Sequence, residues 1–571
     1  MKKINYLVLF SFAVMILSSC GGLNKMQEMS SDVSYKVTPE VLEEHGDKVD
    51  VKIDVKYPAK YFNKAAILTA TPVLIYEGGE TAFEGKKLQG EKVEANNQVI
   101  TFATGGSVSY TGTVDFVEDM MSSDLVIRVS AELKGKTMDF EDYKVADGVN
   151  ATPKLVVVNP KPVMVGDKFE RIIADSYKAD IHYLINRAEV RTKELKGDDI
   201  VGMKDFVAKA NKDERIDLKG IELSAYASPD GELDLNTKLA GKRQASAERY
   251  LSRELKKSKI EAAAEEGFLL KNFTPEDWDG FKTLMEASQI QDKELILRVL
   301  SMYSDPVVRE KEIKNISKAF EVIEDEILPQ LRRSKYVVNV DLIGYTDAEL
   351  KGLWSTDADA LNLEEILYTA TLFEDMDTKL AIYKKANANF PKCFRAINSV
   401  GYVYFMQGDV ENAKVAFESA KVMSDNDVVN NNLGCVALMM DDVETAKQLF
   451  TSSMGAGDEV NYNLGIVNVI EGDYEAAASY FGNTDEINTA LVKLLRDDFD
   501  GALATINKVT CECATKYYVK AVIVANQDKE ELVMEMLKIA IEKKADFKAR
   551  AKVDIEFAKY AENATFKAIV E

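Results

Sequence analysis

The feature that most constrains this chain is a recurrence in its last two hundred residues. Asn398-x-x-Gly401, Gly408-Asp409 and Ala413 return as Asn431-x-x-Gly434, Asp441-Asp442 and Ala446, and again as Gly465, Gly472-Asp473 and Ala477, at offsets of 33 and 31 residues. Phe417, Phe450 and Phe481 each follow the alanine by four positions. A small residue lets one helix approach another, a turn reverses the chain, and the phenylalanine fills the hole the small residue leaves. One such helix pair cannot bury its apolar face alone, so it must stack on the next copy. Leu380 to Phe390 reads as the second helix of a leading repeat, and Asp498-Phe499-Asp500-Gly501-Ala502 and Asp528 to Ala540 read as shortened trailing ones. The spacing predicts about five units.

This pattern resembles the tetratricopeptide superfamily, whose period is about 34 residues. The resemblance implies an all-α solenoid over residues 353–571, with no shared catalytic centre and a concave groove that takes up peptides or other domains. The groove candidates are polar residues of the first helices: Asn398, Tyr402, Asn431, Asn432, Asn461 and Tyr462. Their amides could clamp a peptide backbone or bond helix to helix within the stack.

At the other end, Lys2 and Lys3 precede an apolar stretch from Leu7 to Leu17 and then Leu17-Ser18-Ser19-Cys20, which reads as a lipobox. Residues 1–19 are then a lipoprotein signal peptide and Cys20 the lipid attachment site, carrying acyl chains such as palmitate. The apolar run falls short of the ~20 residues a membrane-spanning helix needs. Gly21-Gly22-Leu23-Asn24 lacks the aspartate that favours inner-membrane retention, so residues 20–32 read as a tether to the outer membrane, facing the periplasm.

Composition narrows function by exclusion. A net charge of −23 leaves no basic face for nucleic acid. The only histidines are His45 and His182, in different domains, so histidine-based catalysis and multi-histidine metal sites are hard to assemble. No enzyme activity, metal or cofactor is expected. Asp230, Glu232 and Asp234 read as helix-starting carboxylates. Beyond Cys20 the cysteines are Cys393, Cys435, Cys511 and Cys513, which imply no disulfide framework; Cys511-x-Cys513 reads as buried helix thiols in preference to a soft-metal pair.

Between these ends lie two further regions. Residues 33–165 alternate with period two, in Val49-Val51-Ile53-Val55, Ala66-Leu68-Ala70-Pro72-Leu74, Val93, Val99-Thr101, Val108-Tyr110 and Leu125-Ile127-Val129-Ala131, which predicts an antiparallel all-β sandwich. Asn159 to Val165, with Pro160 and Pro162, reads as an extended linker closing that domain. Over residues 166–352 the order is strand (Ile181–Ile185), helix (Ile200–Ala210), strand (Ile221–Ala225) and helix (Leu235–Leu255), making a central α+β domain. A helical insertion at about residues 267–333 carries Trp278, Phe281, Leu284, Met285, Ile296 and Leu300, and a last strand begins at Val337.

The stretch Ile221 to Gly231, followed by Asn236-x-x-Leu239-Ala240-x-x-Arg243-Gln244-Ala245, resembles the OmpA-like peptidoglycan-associated domain. That family grips the carboxylate of a diaminopimelate stem peptide with an arginine and its amino group with an aspartate. The resemblance implies Arg243 for the first role and Ser228 or Asp230 for the second, with Asn236 on the same helix, and peptidoglycan as a partner. An interrupted domain of this kind behind a sandwich is similar to Bacteroidetes envelope lipoproteins. The whole then reads as an envelope scaffold that binds proteins through its repeats. The alternative is an accessory subunit of a secretion or surface-fibre assembly complex, whose OmpA-like domain docks protein.

Overall fold

The computed structural model describes residues 22–571; Cys20 and the signal peptide lie outside the described residues. The chain divides into two compact units: residues 22–166 together with residues 375–571, and Asp167–Glu374. The second unit therefore closes at Glu374, not at residue 352.

The first unit opens with a sandwich of strands β1 (Ser34–Thr38), β2 (Leu42–His45), β3 (Lys48–Tyr57), β4 (Ala66–Tyr76), β5 (Gly79–Ala82), β6 (Lys86–Gly90), β7 (Gln98–Ile100), β8 (Gly106–Asp115), β9 (Ser123–Leu133), β10 (Lys136–Asp139), β11 (Tyr143–Asp147) and β12 (Val149–Asn150). One sheet runs β1-β3-β2-β12 with β8 on β3; the other runs β10-β9-β4-β6-β7 with β11 on β9 and β5 on β4. Period-two alternation causes the layering: along β3 every second residue is buried, and Val49, Val51, Ile53 and Val55 enter the core. Val93 lies outside the strands, in the link between β6 and β7. The expected tether is corrected at residues 22–28. They are helical, and Leu23 and Met26 are buried in the sandwich core.

The second unit holds β13 (Ile172–His182), α1 (Asp198–Ala210), β14 (Ile216–Tyr226), α2 (Leu233–Lys257), β15 (Leu269–Thr274), an insertion of α3 (Trp278–Ala287), α4 (Lys293–Met302), α5 (Pro306–Lys314), α6 (Ser317–Glu326) and α7 (Leu328–Leu331), then β16 (Arg333–Ile343), α8 (Asp347–Thr356) and α9 (Leu363–Thr371). Its sheet order is β13-β16-β14-β15, so the strand after the insertion lies between β13 and β14. Several boundaries differ from expectation: β13 ends at His182, β14 begins at Ile216 and β16 begins at Arg333. β13 starts nine residues before Ile181, because Ile172 to Ser176 are held by pairing with β16 and show no buried alternation. β15, parallel to β14, occupies the start of the expected insertion, which has its own core of Phe281, Met285, Ile296 and Leu328.

The first unit resumes as helix pairs: α10 (Met376–Asn389), α11 (Phe394–Met406), α12 (Val410–Met423), α13 (Asp427–Met439), α14 (Val443–Thr451), α15 (Asp458–Ile470), α16 (Tyr474–Phe481), α17 (Ile487–Leu495), α18 (Phe499–Ile506), α19 (Ala514–Asn526), α20 (Glu530–Lys543), α21 (Asp546–Val553) and α22 (Ala564–Val570). The recurrent residues act as the repeat pattern requires. Gly401, Gly434 and Gly465 face Phe417, Phe450 and Phe481 so closely that a Cβ would stand 2.7, 2.6 and 2.5 Å from the ring. At each turn one residue adopts left-handed backbone (Gly408, Asp441, Gly472, Asp497), and the next aspartate caps the second helix. Asp409, Asp442, Asp473 and Asp498 accept from the amides of Asn412, Thr445, Ala476 and Gly501. The shortened pair is α17 and α18, of 9 and 8 residues, while α19 and α20 are full length at 13 and 14.

Candidate functional site

The groove of the repeats is filled by the chain's own segment from Val156 to Gly166, the proline-containing stretch expected to be a linker. Three asparagines each grip one strap residue by both main-chain groups. Asn488 accepts from the amide of Val157 and donates to its carbonyl, both at 2.8 Å. Asn463 does the same to Lys161 at 2.6 and 3.0 Å, and Asn432 to Val163 at 2.6 and 2.8 Å. In an extended chain the N–H and C=O of one residue point to the same side, and those of its neighbours point to the other. A side-chain amide, offering a donor and an acceptor, thus pairs with Lys161 and Val163 as a neighbouring strand would, and Val157 is gripped in the same way four positions earlier, where its carbonyl also accepts from Asn159 N at 3.1 Å. The intervening positions 160 and 162 are prolines, which have no N–H to leave unmatched.

Side-chain contacts set the register. Tyr462 donates to Asn159 Oδ1 at 2.7 Å, and Lys161 Nζ lies 2.7 Å from Glu486 and 4.0 Å from the centre of the Tyr462 ring. Burial pushes the Tyr462 hydroxyl up to about 12, which keeps it a donor. The asparagines also bond to one another: Asn432 to Asn398 at 3.0 Å, Asn463 to Asn431 at 3.0 Å, and Asn431 to Asn432 at 3.2 Å. All five of Asn398, Asn431, Asn432, Asn463 and Asn488 are fully buried. Both roles open to the asparagines therefore operate together.

Of the groove candidates, Asn398, Asn431, Asn432 and Tyr462 meet at the strap. Asn398 and Asn431 add donor contacts to Val163 O and Lys161 O at 3.4 and 3.2 Å. Among the described residues, Tyr402 and Asn461 make no hydrogen bond to the strap. Asn463 and Asn488 are the residues sequence reasoning missed. A signal existed, since Asn432 and Asn463 both stand two positions before the recurrent glycine, whereas the pattern Asn-x-x-Gly directed attention elsewhere.

The strap is anchored at both ends of the array. At its start Asn150 and Thr152 donate to Glu556 at 2.9 and 3.2 Å, Arg550 donates to Ala151 O at 2.7 Å, and Leu155 joins the repeat core. Glu556 and its neighbour Asp554, which accepts from Tyr518 at 2.8 Å, are both held above the usual carboxylate range by burial. At its finish Tyr383 donates to Met164 Sδ at 3.4 Å.

In the second unit, Arg243 is fully buried on α2, and each of its three nitrogens donates to a main-chain carbonyl: Nε to Arg187, Nη1 to Tyr226 and Nη2 to Leu184, at 3.0, 2.8 and 3.4 Å. Burial pulls the guanidinium down to about 10, so it stays charged at neutral pH. Asn236 donates to the carbonyls of Ser228 and Gly231 at 3.1 and 2.9 Å, holding the turn before α2. Ser228 donates to Asp230, and Arg332 takes both, donating to Ser228 Oγ at 3.2 Å and Asp230 Oδ2 at 3.1 Å. The four residues do come together, but the partner of Asp230 is Arg332, which joins α7 to β16. Next to it Arg333 pairs with Asp277 at 3.0 Å. Neither arginine was singled out from sequence, because the insertion separates Arg332 from Ser228 and Asp230 by 104 and 102 residues.

Among the described residues no cluster of three or more histidine, cysteine or acidic side chains is placed to hold a metal ion, and no helix is long and apolar enough to cross a membrane. Cys435 is buried against Asn463 and Asn431, with its thiol pushed well up by burial. Cys511 and Cys513 are a correction: they form a disulfide in a loop, with Cys511 exposed, and are not buried helix thiols.

No family model and no curated protein matches the sequence. Solved structures similar to it include a tetratricopeptide repeat protein from Parabacteroides merdae, 16% identical with a TM-score of 0.29, covering 37% of this chain and 91% of that one. PilW, a type IV pilus biogenesis factor, is 15% identical with a TM-score of 0.26 over 35% of this chain and 92% of its own. PilF of Pseudomonas aeruginosa is 13% identical with a TM-score of 0.27 over 39% and 97%. Scores this low carry no argument, and the repeat architecture described above rests on its own glycine, phenylalanine and aspartate geometry.

Proposed function

We propose that this chain is a non-enzymatic, lipid-anchored scaffold of the cell envelope, fixed to the outer membrane through Cys20, whose repeats form a clamp for extended main chain. The observation that supports this is the set of paired amide bonds from Asn432, Asn463 and Asn488 to the main chain of Val163, Lys161 and Val157. They read backbone and leave side-chain choice to the Lys161 and Asn159 contacts. The clamp is used internally first, to fasten the sandwich and the repeat array into one unit. A synthetic peptide covering residues 156–165 should bind, by fluorescence anisotropy, to a chain whose own strap residues 157–163 are replaced by glycine and serine, and should not bind the wild type. Failure to bind a replaced chain that circular dichroism shows to be folded would remove the clamp from the account.

For the second unit, the reading as a protein-docking subunit is favoured over wall binding. Arg243 spends its nitrogens on carbonyls of its own chain, and Asp230 is neutralised by Arg332. Isolated sacculi should retain the wild type and a folded Arg243→Lys variant equally. Selective release of the variant would restore peptidoglycan as the partner.

A further inference from the structure

We propose that Cys511 and Cys513 form a thiol–disulfide exchange site that oxidises a dithiol of a partner polypeptide. The two lie in the loop between buried Val509 and α19, with Cα atoms 5.5 Å apart. A crosslink constrains the unfolded chain through the length of loop it closes, and this one spans two positions, so it stabilises the fold less than a bridge across a long loop would. Its two sulfurs are unlike. Cys511 is exposed, whereas Cys513 is half-buried and is the N-cap residue of the 13-residue α19. The start of a helix favours negative charge beside it. Lys516, one turn into α19, lies 3.0 Å from Glu512 and offsets the one carboxylate between the cysteines.

This asymmetry sets the direction of reaction. A thiolate of the partner attacks the accessible Cys511 sulfur and forms a mixed disulfide; the Cys511–Cys513 bond breaks, and its electron pair leaves on Cys513 as a thiolate at the helix start. The partner's second thiol, once deprotonated, attacks the partner sulfur of the mixed disulfide and expels Cys511, which takes up a proton. One partner dithiol becomes a disulfide while the pair becomes a dithiol, two electrons passing. Cys435, fully buried, takes no part.

The test uses the full chain, oxidised, with one equivalent of a reduced synthetic peptide containing Cys-Xaa-Xaa-Cys, followed by acid quench, alkylation and mass spectrometry. Two alkylated thiols should appear at Cys511 and Cys513 with an equal amount of oxidised peptide, at least tenfold faster than the peptide reacts with oxidised glutathione. Cys511→Ser should abolish this. Cys513→Ser, given the disulfide-linked dimer of a peptide with a single cysteine, should accumulate a mixed disulfide at Cys511, because no second thiol is present to expel it. A wild-type rate no greater than that of glutathione, or a chain that keeps both sulfurs as thiols in oxidised glutathione, would overturn the proposal.

Discussion

Asn463 reaches the strap with both ends of its amide, and also bonds Asn431 and Cys435. Truncation therefore strands the N–H of Lys161 and the Oδ1 of Asn431, while the C=O of Lys161 keeps its bond from Asn431 at 3.2 Å. Asn463→Ala should lower the unfolding free energy of the first unit by about 3 kcal/mol, with each unmatched group costing about 1–3. Asn461→Ala, two residues away and half-buried, should change it by less than about 0.5 kcal/mol. Urea titration followed by circular dichroism separates the two. Arg243 offers a parallel case in the second unit. Arg243→Met removes the donor from the carbonyls of Arg187 and Tyr226, while Leu184 O keeps the Arg187 amide at 3.0 Å; it should cost about 2–4 kcal/mol, and Arg243→Lys should recover only part, because one ammonium cannot span the positions a guanidinium fork reaches.

At the scale of elements, the repeats are built on contact between a glycine and a ring. Gly434→Ala would put a Cβ 2.6 Å from Phe450. It should destabilise the array by about 1–3 kcal/mol as overpacking, and Phe450→Leu in the same chain should restore part of the loss by making room; thermal unfolding of the single and double variants checks this. These contacts were legible beforehand because a repeated constraint leaves a repeated residue: a glycine, an aspartate cap and a phenylalanine return at fixed spacing. β15 was not legible, since Leu270 to Phe273 are all exposed and show no alternation to read. The strap was legible as extended chain, from Pro160 and Pro162, but its binding partners lie some 270 to 330 residues away. No local pattern encodes that pairing. The Arg243 cluster was half legible for a related reason: α2 carries its pattern in one stretch, whereas Arg332 is brought in across the insertion.

Over the first unit as a whole, sandwich and array are joined where Asn150 and Thr152 meet Glu556, beside Asp554. Burial raises both carboxyls, so in this region the folded state holds protons more tightly than the unfolded chain. The contribution to stability is fully present below the unfolded pKa values and is lost as pH rises through the folded ones. Asp554→Asn should therefore flatten the decline in melting temperature as pH rises above the ordinary carboxylate range, while keeping the cap on Glu556 N through Oδ1.

The clamp itself is tested most directly by hydrogen exchange at the strap amides of Val157, Lys161 and Val163. In the wild type these three should be protected together, and Asn432→Ala with Asn463→Ala should release Lys161 and Val163 while Val157, held by Asn488, stays slow. Rapid exchange at all three in the wild-type chain would show that the groove does not hold the strap, and would contradict the account.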